Sequence, residues 1–238
     1  MGRLAIMAAM HEELHALLAA MPNEHRTERG GRTFWCGHWQ GHDVVAVLSG
    51  IGKVAAATTA TLLVSEFQAE RIVFTGVAGG LAPGVQVGDV VVARALLQHD
   101  MDASPLFPRY EIPGTGRAVL PTDAALSTLA AQAAAQALAQ EGGAGTVHTG
   151  LIISGDRFVG TLEHNQALRA ALPDALAVEM EGAALAQVCH DLQVPFAVVR
   201  TISDRADADA HVDFAHFVAE VASRHSLAIV REVLARLA

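Results

Sequence analysis

Residues 4–21 read Leu4-Ala-Ile-Met-Ala-Ala-Met-His-Glu-Glu13-Leu-His-Ala-Leu-Leu-Ala-Ala-Met21. Leu4 to Ala8 is an apolar run of strand length. Leu14, Leu17, Leu18 and Met21 then recur at i, i+3, i+4 and i+7, the spacing of one helix face. A buried strand feeding an amphipathic helix is the unit of an α/β fold, and the alternation continues down the chain. Thr33–Trp39 and Asp43–Leu48 read as strands joined by a turn around Gly41-His42. Lys53–Phe67 reads as a helix, and Arg71–Thr75 as a buried strand punctuated by Gly76 and Gly79-Gly80. Asp89–Ala93, continuous in Val, reads as another buried strand. Residues 122–140 are Ala-rich and favour a helix. Val147–Ile153 and Phe196–Arg200 read as central strands, with Pro195 preceding the second rather than interrupting it. Glu163–Ala171 and Glu181–His190 read as helices, and a last helix carries Phe214, Phe217, Val218 and Val221. The pattern predicts a single α/β domain over residues 1–238, a central mixed sheet flanked by helices on both faces.

Composition narrows the function classes. Of 238 residues, 52% are apolar and 17% charged, so a sizeable core is available and wholesale disorder is excluded. Lys and Arg total 16 against 25 Asp and Glu, a formal charge of −9. Such a protein repels phosphate backbones and anionic lipid, so no nucleic-acid or membrane partner is expected. Lys53 is the only lysine. Cys36 and Cys189 form no C-x-x-C pair and read as reduced thiols. No apolar stretch reaches the roughly 18 residues of a membrane span. The first apolar run ends at His11-Glu12-Glu13 without a cleavage-like segment, and Ile6 stands where a myristoylation signal needs Ser or Thr. These features predict a cytoplasmic globule.

In sheets of this kind ligands sit beyond the carboxyl ends of the strands. Those ends carry Met10-His-Glu-Glu13, Ser49-Gly-Ile51-Gly-Lys53, Gly76-Val-Ala-Gly-Gly80, Ser154-Gly-Asp-Arg-Phe158, Glu179-Met-Glu181 and Arg200-Thr-Ile-Ser-Asp204. Glu12 and Glu13 also suit the first turn of a helix, where carboxylates favour the dipole. Glu179 and Glu181 share one face if their strand continues. Asp204 also suits an N-cap. Carboxylates gathered on one rim fit acid/base work and the stabilisation of a cationic transition state. Ser49 to Lys53 resembles a phosphate loop only superficially, because Val54 follows the lysine and the G-x-x-x-x-G-K-[ST] spacing is missing. G-x-G-x-x-G and G-x-S-x-G are absent, and among twelve histidines His99-Asp100-Met101-Asp102 is at most a weak cation site. No metal and no cofactor are expected. Residues 99–116, rich in Pro and Gly with Leu106, Phe107, Tyr110 and Ile112 between, read as a long loop bound to something.

Taken together, these segments resemble the 5′-methylthioadenosine/S-adenosylhomocysteine nucleosidases of the nucleoside phosphorylase superfamily. The motifs are Ala9-Met10-x-Glu-Glu13, Ser49-Gly-Ile-Gly-Lys53-Val-Ala-Ala, Thr75-Gly-x-Ala-Gly-Gly80-Leu-Ala-Pro, Val87-Gly-Asp-Val-Val91, Gly150-Leu-Ile-x-Ser-Gly-Asp156-x-Phe158, Val178-Glu-Met-Glu181 and Val-Arg200-x-Ile-Ser-Asp204. They stand in the family's order over nearly the whole chain. The resemblance implies a nucleoside phosphorylase-like fold and hydrolysis of the N-glycosidic bond of 5′-thio-substituted adenine nucleosides, a step of nucleoside catabolism and methionine salvage.

The resemblance also implies roles. Glu13 matches the general base that activates water, and Asp204, beside Ser203, the acid that protonates adenine N7. Met180 and Glu181 match the ribose site, with Glu181 holding the hydroxyls; Ile51 and Glu179 belong to the same binding set. Phe158 matches the residue stacked on adenine, and Val159 the backbone that reads its edge. Ala78 and Gly79 line sugar and base, Arg200 orders water near Glu13, and Phe214 closes over the purine. The partners implied are a nucleoside, water and a second copy of the chain, with loop 99–116 covering the partner's site.

Superfamily phosphorylases carry a Gly-Asp-x-x-Arg loop and an Arg-x-Gly-Thr-x-Gly loop for phosphate. Here the counterparts are Met10-His-Glu-Glu13 and Phe74-Thr-Gly-Val77-Ala-Gly, and a glutamate at the phosphate position repels a dianion. Val77 stands where bacterial members commonly have Ser, and the 99–116 loop departs from the usual version. Futalosine-type nucleosides and deoxyadenosine therefore remain alternative substrates. Phosphorolysis, AMP hydrolysis and a non-catalytic nucleoside-binding role are the other readings.

Overall fold

Strand β1 (Arg3–Ala8) is buried from Leu4 onward and has a parallel neighbour on each side, β4 (His42–Leu48) and β5 (Ala69–Gly80). A strand covered on both faces must be apolar throughout. Its side chains divide by alternation: Ala5 and Met7 enter one core, and Leu4, Ile6 and Ala8 the other. The first core is closed by α2 (Lys53–Ser65) and α5 (Gly182–Leu192). The second is closed by α1 (His11–Ala20), α3 (Ala124–Gln140) and α6 (Ser223–Arg236). This is the expected α/β architecture, a mixed sheet between two helical layers. The structure, a computed structural model, describes residues 2–22, 24–142, 145–206, 217 and 221–237.

The remaining elements are helix α4 (Leu162–Ala171) and strands β2 (His25–Arg29), β3 (Arg32–Trp39), β6 (Val90–Gln98), β7 (Val119–Pro121), β8 (Val147–Ser154), β9 (Ala175–Glu179) and β10 (Phe196–Asp204). From β1 the sheet runs outward through β4 and β3 to β2. In the other direction it closes on itself. β5 pairs with β10, β10 with β6, β6 with β8, β8 with β9, and β9 returns to β5 through Gly79–Val178 and Gly80–Ala177. This closure brings the carboxyl ends of β5, β9 and β10 together.

Several elements differ from the sequence reading. β5 continues past Thr75 to Gly80, because the glycine backbones keep pairing with β10 (Gly76 with Arg200, Ala78 with Ile202). β10 likewise runs on to Asp204. β9 ends at Glu179, so Glu179 and Glu181 do not share a strand face; Glu181 instead precedes the first residue of α5 at φ −135°, ψ −40°. The short strands β2 and β7 were not predicted. The segment 99–116 is irregular, as expected, and is held down by Tyr110 N–H donating to Met101 O and by an Ile112–Arg117 bridge. Phe214 and Val218 lie outside the described residues; α6 carries the end of the last predicted helix.

Candidate active site

The first turn of α1 places Glu13. Its Oε2 accepts hydrogen bonds from Ala9 N–H and Met10 N–H, both at 2.8 Å, and its Oε1 accepts one from Val77 N–H at 2.9 Å. The carboxylate is thus pinned between the ends of β1 and β5. It caps its own helix and also faces a cavity. Glu12 is exposed to solvent. Burial raises the Glu13 carboxyl above its ordinary range, against the opposing charge of Arg200 and the three N–H donors.

Glu179 and Arg200 form a fully buried ion pair, Nη2 to Oε2 at 2.7 Å. Glu179 also accepts from Ser154 Oγ, Glu181 N–H and Gly182 N–H. Arg200 Nη1 donates to Phe74 O and Val199 O, and the guanidinium lies over the Phe74 ring at 4.1 Å. The guanidinium is therefore committed to protein groups.

Glu181 accepts from Gly52 N–H at 2.8 Å, an interaction spanning 129 positions of sequence. Burial, then the neighbouring Glu179, push its pKa up to about 8, despite Arg200 and the Gly52 bond. Asp204 is buried at the end of β10. Its Oδ2 accepts from Ser203 Oγ at 2.8 Å and its Oδ1 from Ala206 N–H at 2.7 Å. It belongs to the strand end rather than to a helix N-cap.

These groups surround a cavity of about 360 Å³. Glu13, Glu179, Glu181 and Asp204 form its acidic wall, with Ser203 beside Asp204. Ala78, Gly79 and Met180 line its interior; Ile51, Phe158 and Val159 complete it, the first two largely exposed. Arg200 does not reach the wall but lies behind Glu179. Phe214 lies outside the described residues. Sequence reasoning missed Ala9, Met10, Val77, Arg157 and Val178 as lining residues. Val77, Arg157 and Val178 each adjoin a predicted site residue, and Ala9 and Met10 open the motif that ends in Glu13, which is the signal that was available. Phe217, predicted only as helix, packs on the Val77–Met10 side of the cavity.

The loop that superficially resembles a phosphate loop is already occupied by the protein's own carboxylates. Gly52 N–H donates to Glu181 and Lys53 N–H to Asp156 Oδ1 at 2.7 Å. Among the described residues, Arg157 is the single Arg or Lys on the cavity wall. No cluster of metal-ligating side chains occurs among the described residues, and His99-Asp100-Met101-Asp102 forms none. An acidic cavity of this size suits a neutral or cationic ligand better than an anion.

Residues 3–235 match the family model described as the phosphorylase superfamily. The chain belongs to that superfamily. Among solved structures, it is similar to the 5′-methylthioadenosine/S-adenosylhomocysteine nucleosidase of Neisseria meningitidis in complex with methylthio-immucillin-A. The two are 36% identical over 100% of both chains, with a TM-score of 0.91. The S-adenosylhomocysteine nucleosidase of Streptococcus pyogenes is 36% identical over 100% of this chain and 98% of its own, with a TM-score of 0.90. The futalosine hydrolase of Helicobacter pylori is 31% identical over 99% of this chain and 98% of its own, with a TM-score of 0.89. The superfamily match agrees with the strand-end motifs quoted from the sequence.

Proposed function

We propose that the protein is a nucleosidase that hydrolyses the N-glycosidic bond of 5′-thio-substituted adenine nucleosides, methylthioadenosine and S-adenosylhomocysteine. The observation that carries this is an acidic cavity whose nearby cation, Arg200, is neutralised by Glu179. A phosphate dianion beneath the sugar would meet Glu13, whereas a water there finds a base. In this reading Glu13 removes a proton from the attacking water. Asp204 delivers one to adenine N7, so that the base does not leave as an anion. The sugar becomes oxocarbenium-like, and the surrounding carboxylates stabilise that charge better than they stabilise neutral substrate. Glu181, with one oxygen on Gly52 N–H, holds the ribose hydroxyls with Met180. Phe158 stacks on the purine, Val159 reads its edge, Ile51, Ala78, Gly79 and Ser203 complete the walls, Glu179 and Arg200 support them, and Phe214 closes over the base.

The finer parts of the reading concern setting. A homodimer is supported by the exposed apolar side chains of Ile51, Val54 and Leu106 around the cavity mouth and the 99–116 segment. In it, loop 99–116 covers the partner's site. A cytoplasmic place and a role in methionine salvage are supported by the free, buried thiols of Cys36 and Cys189 and by the thio-nucleoside substrate.

Purified protein should release adenine from methylthioadenosine in phosphate-free buffer. Release that requires phosphate and yields a sugar 1-phosphate overturns the reading. The similarity to a futalosine hydrolase favours one second reading, a futalosine-type substrate. A turnover panel of methylthioadenosine, S-adenosylhomocysteine, aminodeoxyfutalosine, deoxyadenosine and AMP decides between them.

A further inference from the structure

Lys53, the only lysine of the chain, sits at the start of α2 with its ammonium turned inward. Its Nζ donates to Asp100 Oδ1 at 2.6 Å and to Gln98 Oε1 at 3.1 Å. Its main-chain N–H donates to Asp156 Oδ1 at 2.7 Å. Asp156 N–H in turn donates to Asp100 Oδ2 at 2.9 Å. The three residues therefore close a ring of hydrogen bonds between three connections: Lys53 ends the loop after β4 as the first residue of α2, Asp100 lies in the loop after β6 and Asp156 in the loop after β8. Gln98 carries the ring onward into the core through Gln187 of α5 at 2.8 Å.

Two of these loops form the cavity. The first carries Ile51 and the Gly52 N–H that holds Glu181. The third carries Arg157, Phe158 and Val159. The second begins the 99–116 segment. We propose that Lys53, Asp100 and Asp156 act as a positioning clasp that sets the sugar end of the cavity against its base end. Resting on the nucleosidase reading, this makes Lys53 a determinant of substrate affinity that never touches substrate. The ammonium is only partly exposed, so the bond to Asp100 is shielded more than a surface pair and holds the loops in register.

The test compares wild type with Lys53→Met, Asp100→Asn and the double variant. Lys53→Met keeps the main-chain N–H to Asp156 and removes only the ammonium. Each single variant should raise KM for methylthioadenosine about tenfold or more, with kcat changed by less than about threefold. The double variant should be no worse than the weaker single, because both remove one bond. Hydrogen exchange on the ligand-free proteins should rise in residues 50–52 and in residues 155–159 together. Exchange that rises in one loop alone, an unchanged KM, or effects that multiply in the double variant would overturn the clasp. If wild-type protein releases no adenine, the function reading falls, and the exchange comparison still decides the clasp.

Discussion

Gly76 and Glu13 touch so closely that no side chain fits between them: a Cβ at position 76 would lie 2.7 Å from Glu13 Oε1 and 3.2 Å from Arg200 Nη1. Gly76→Ala must therefore push Glu13 off its three N–H donors. We expect kcat to fall about 10²-fold while the circular dichroism spectrum is preserved. Gly84→Ala, where a Cβ meets nothing within 4 Å, is the control and should be silent. A Gly76→Ala enzyme of wild-type rate would mean that Glu13 does not work from this position.

The two proton-transfer roles separate from binding. Glu13→Gln and Asp204→Asn should each lower turnover by about 10²–10⁴-fold, the usual worth of one acid or base. Affinity for methylthioadenosine, measured by calorimetry on the slow variants, should stay within a few-fold of adenine-nucleoside affinity in wild type. Turnover that survives either substitution removes that residue from the mechanism.

Arg200 and Glu179 are a buried pair, and such pairs are costly to break from one side. Arg200→Met leaves Glu179 charged and enclosed, for a loss of about 3–5 kcal/mol in urea unfolding. Adding Glu179→Gln should recover part of that loss, since the stranded charge is then gone. A double variant as unstable as the sum of the singles would show that packing, not charge, sets the cost.

Glu181 makes stability depend on pH with a definite sign. Burial, then the charge of Glu179, pushes its pKa up to about 8 in the folded protein, against 4.5 for an ordinary glutamate. Between those values the folded state holds a proton that the unfolded chain has released, so this contribution is complete below the window and lost as pH rises through it. The melting temperature of ligand-free wild type should therefore drop relative to Glu181→Gln from about pH 5 to pH 8 and level off above. Parallel curves for the two proteins would refute the buried, proton-holding state of Glu181.

The central strands were legible because each is an apolar run, and the acidic residues of the site because each follows such a run. Glu13, Glu179 and Asp204 stand out as strand-end carboxylates on that ground, whereas their roles follow only from the family resemblance. β2 escaped because His25-Arg-Thr-Glu-Arg29 buries almost nothing and carries no alternation. The continuation of β5 was hidden because glycines read as punctuation, whereas parallel pairing with β10 keeps them extended. The helix-capping position of Glu181 and its bond to Gly52 were beyond reach, since a contact between residues this distant in sequence exists only once the sheet has closed. Lys53 drew notice as a false phosphate loop; its actual partners lie on two other loops.

The strand path that begins in the closed ring ends at β2, which has β3 as its single strand neighbour among the described residues. Sheet rims invite fibril-like stacking with other chains. Here the rim is short and studded with Arg26, Glu28 and Arg29, so an approaching strand would have to strip water from charges to gain a ladder. The molecule thereby discourages open-ended growth along this margin.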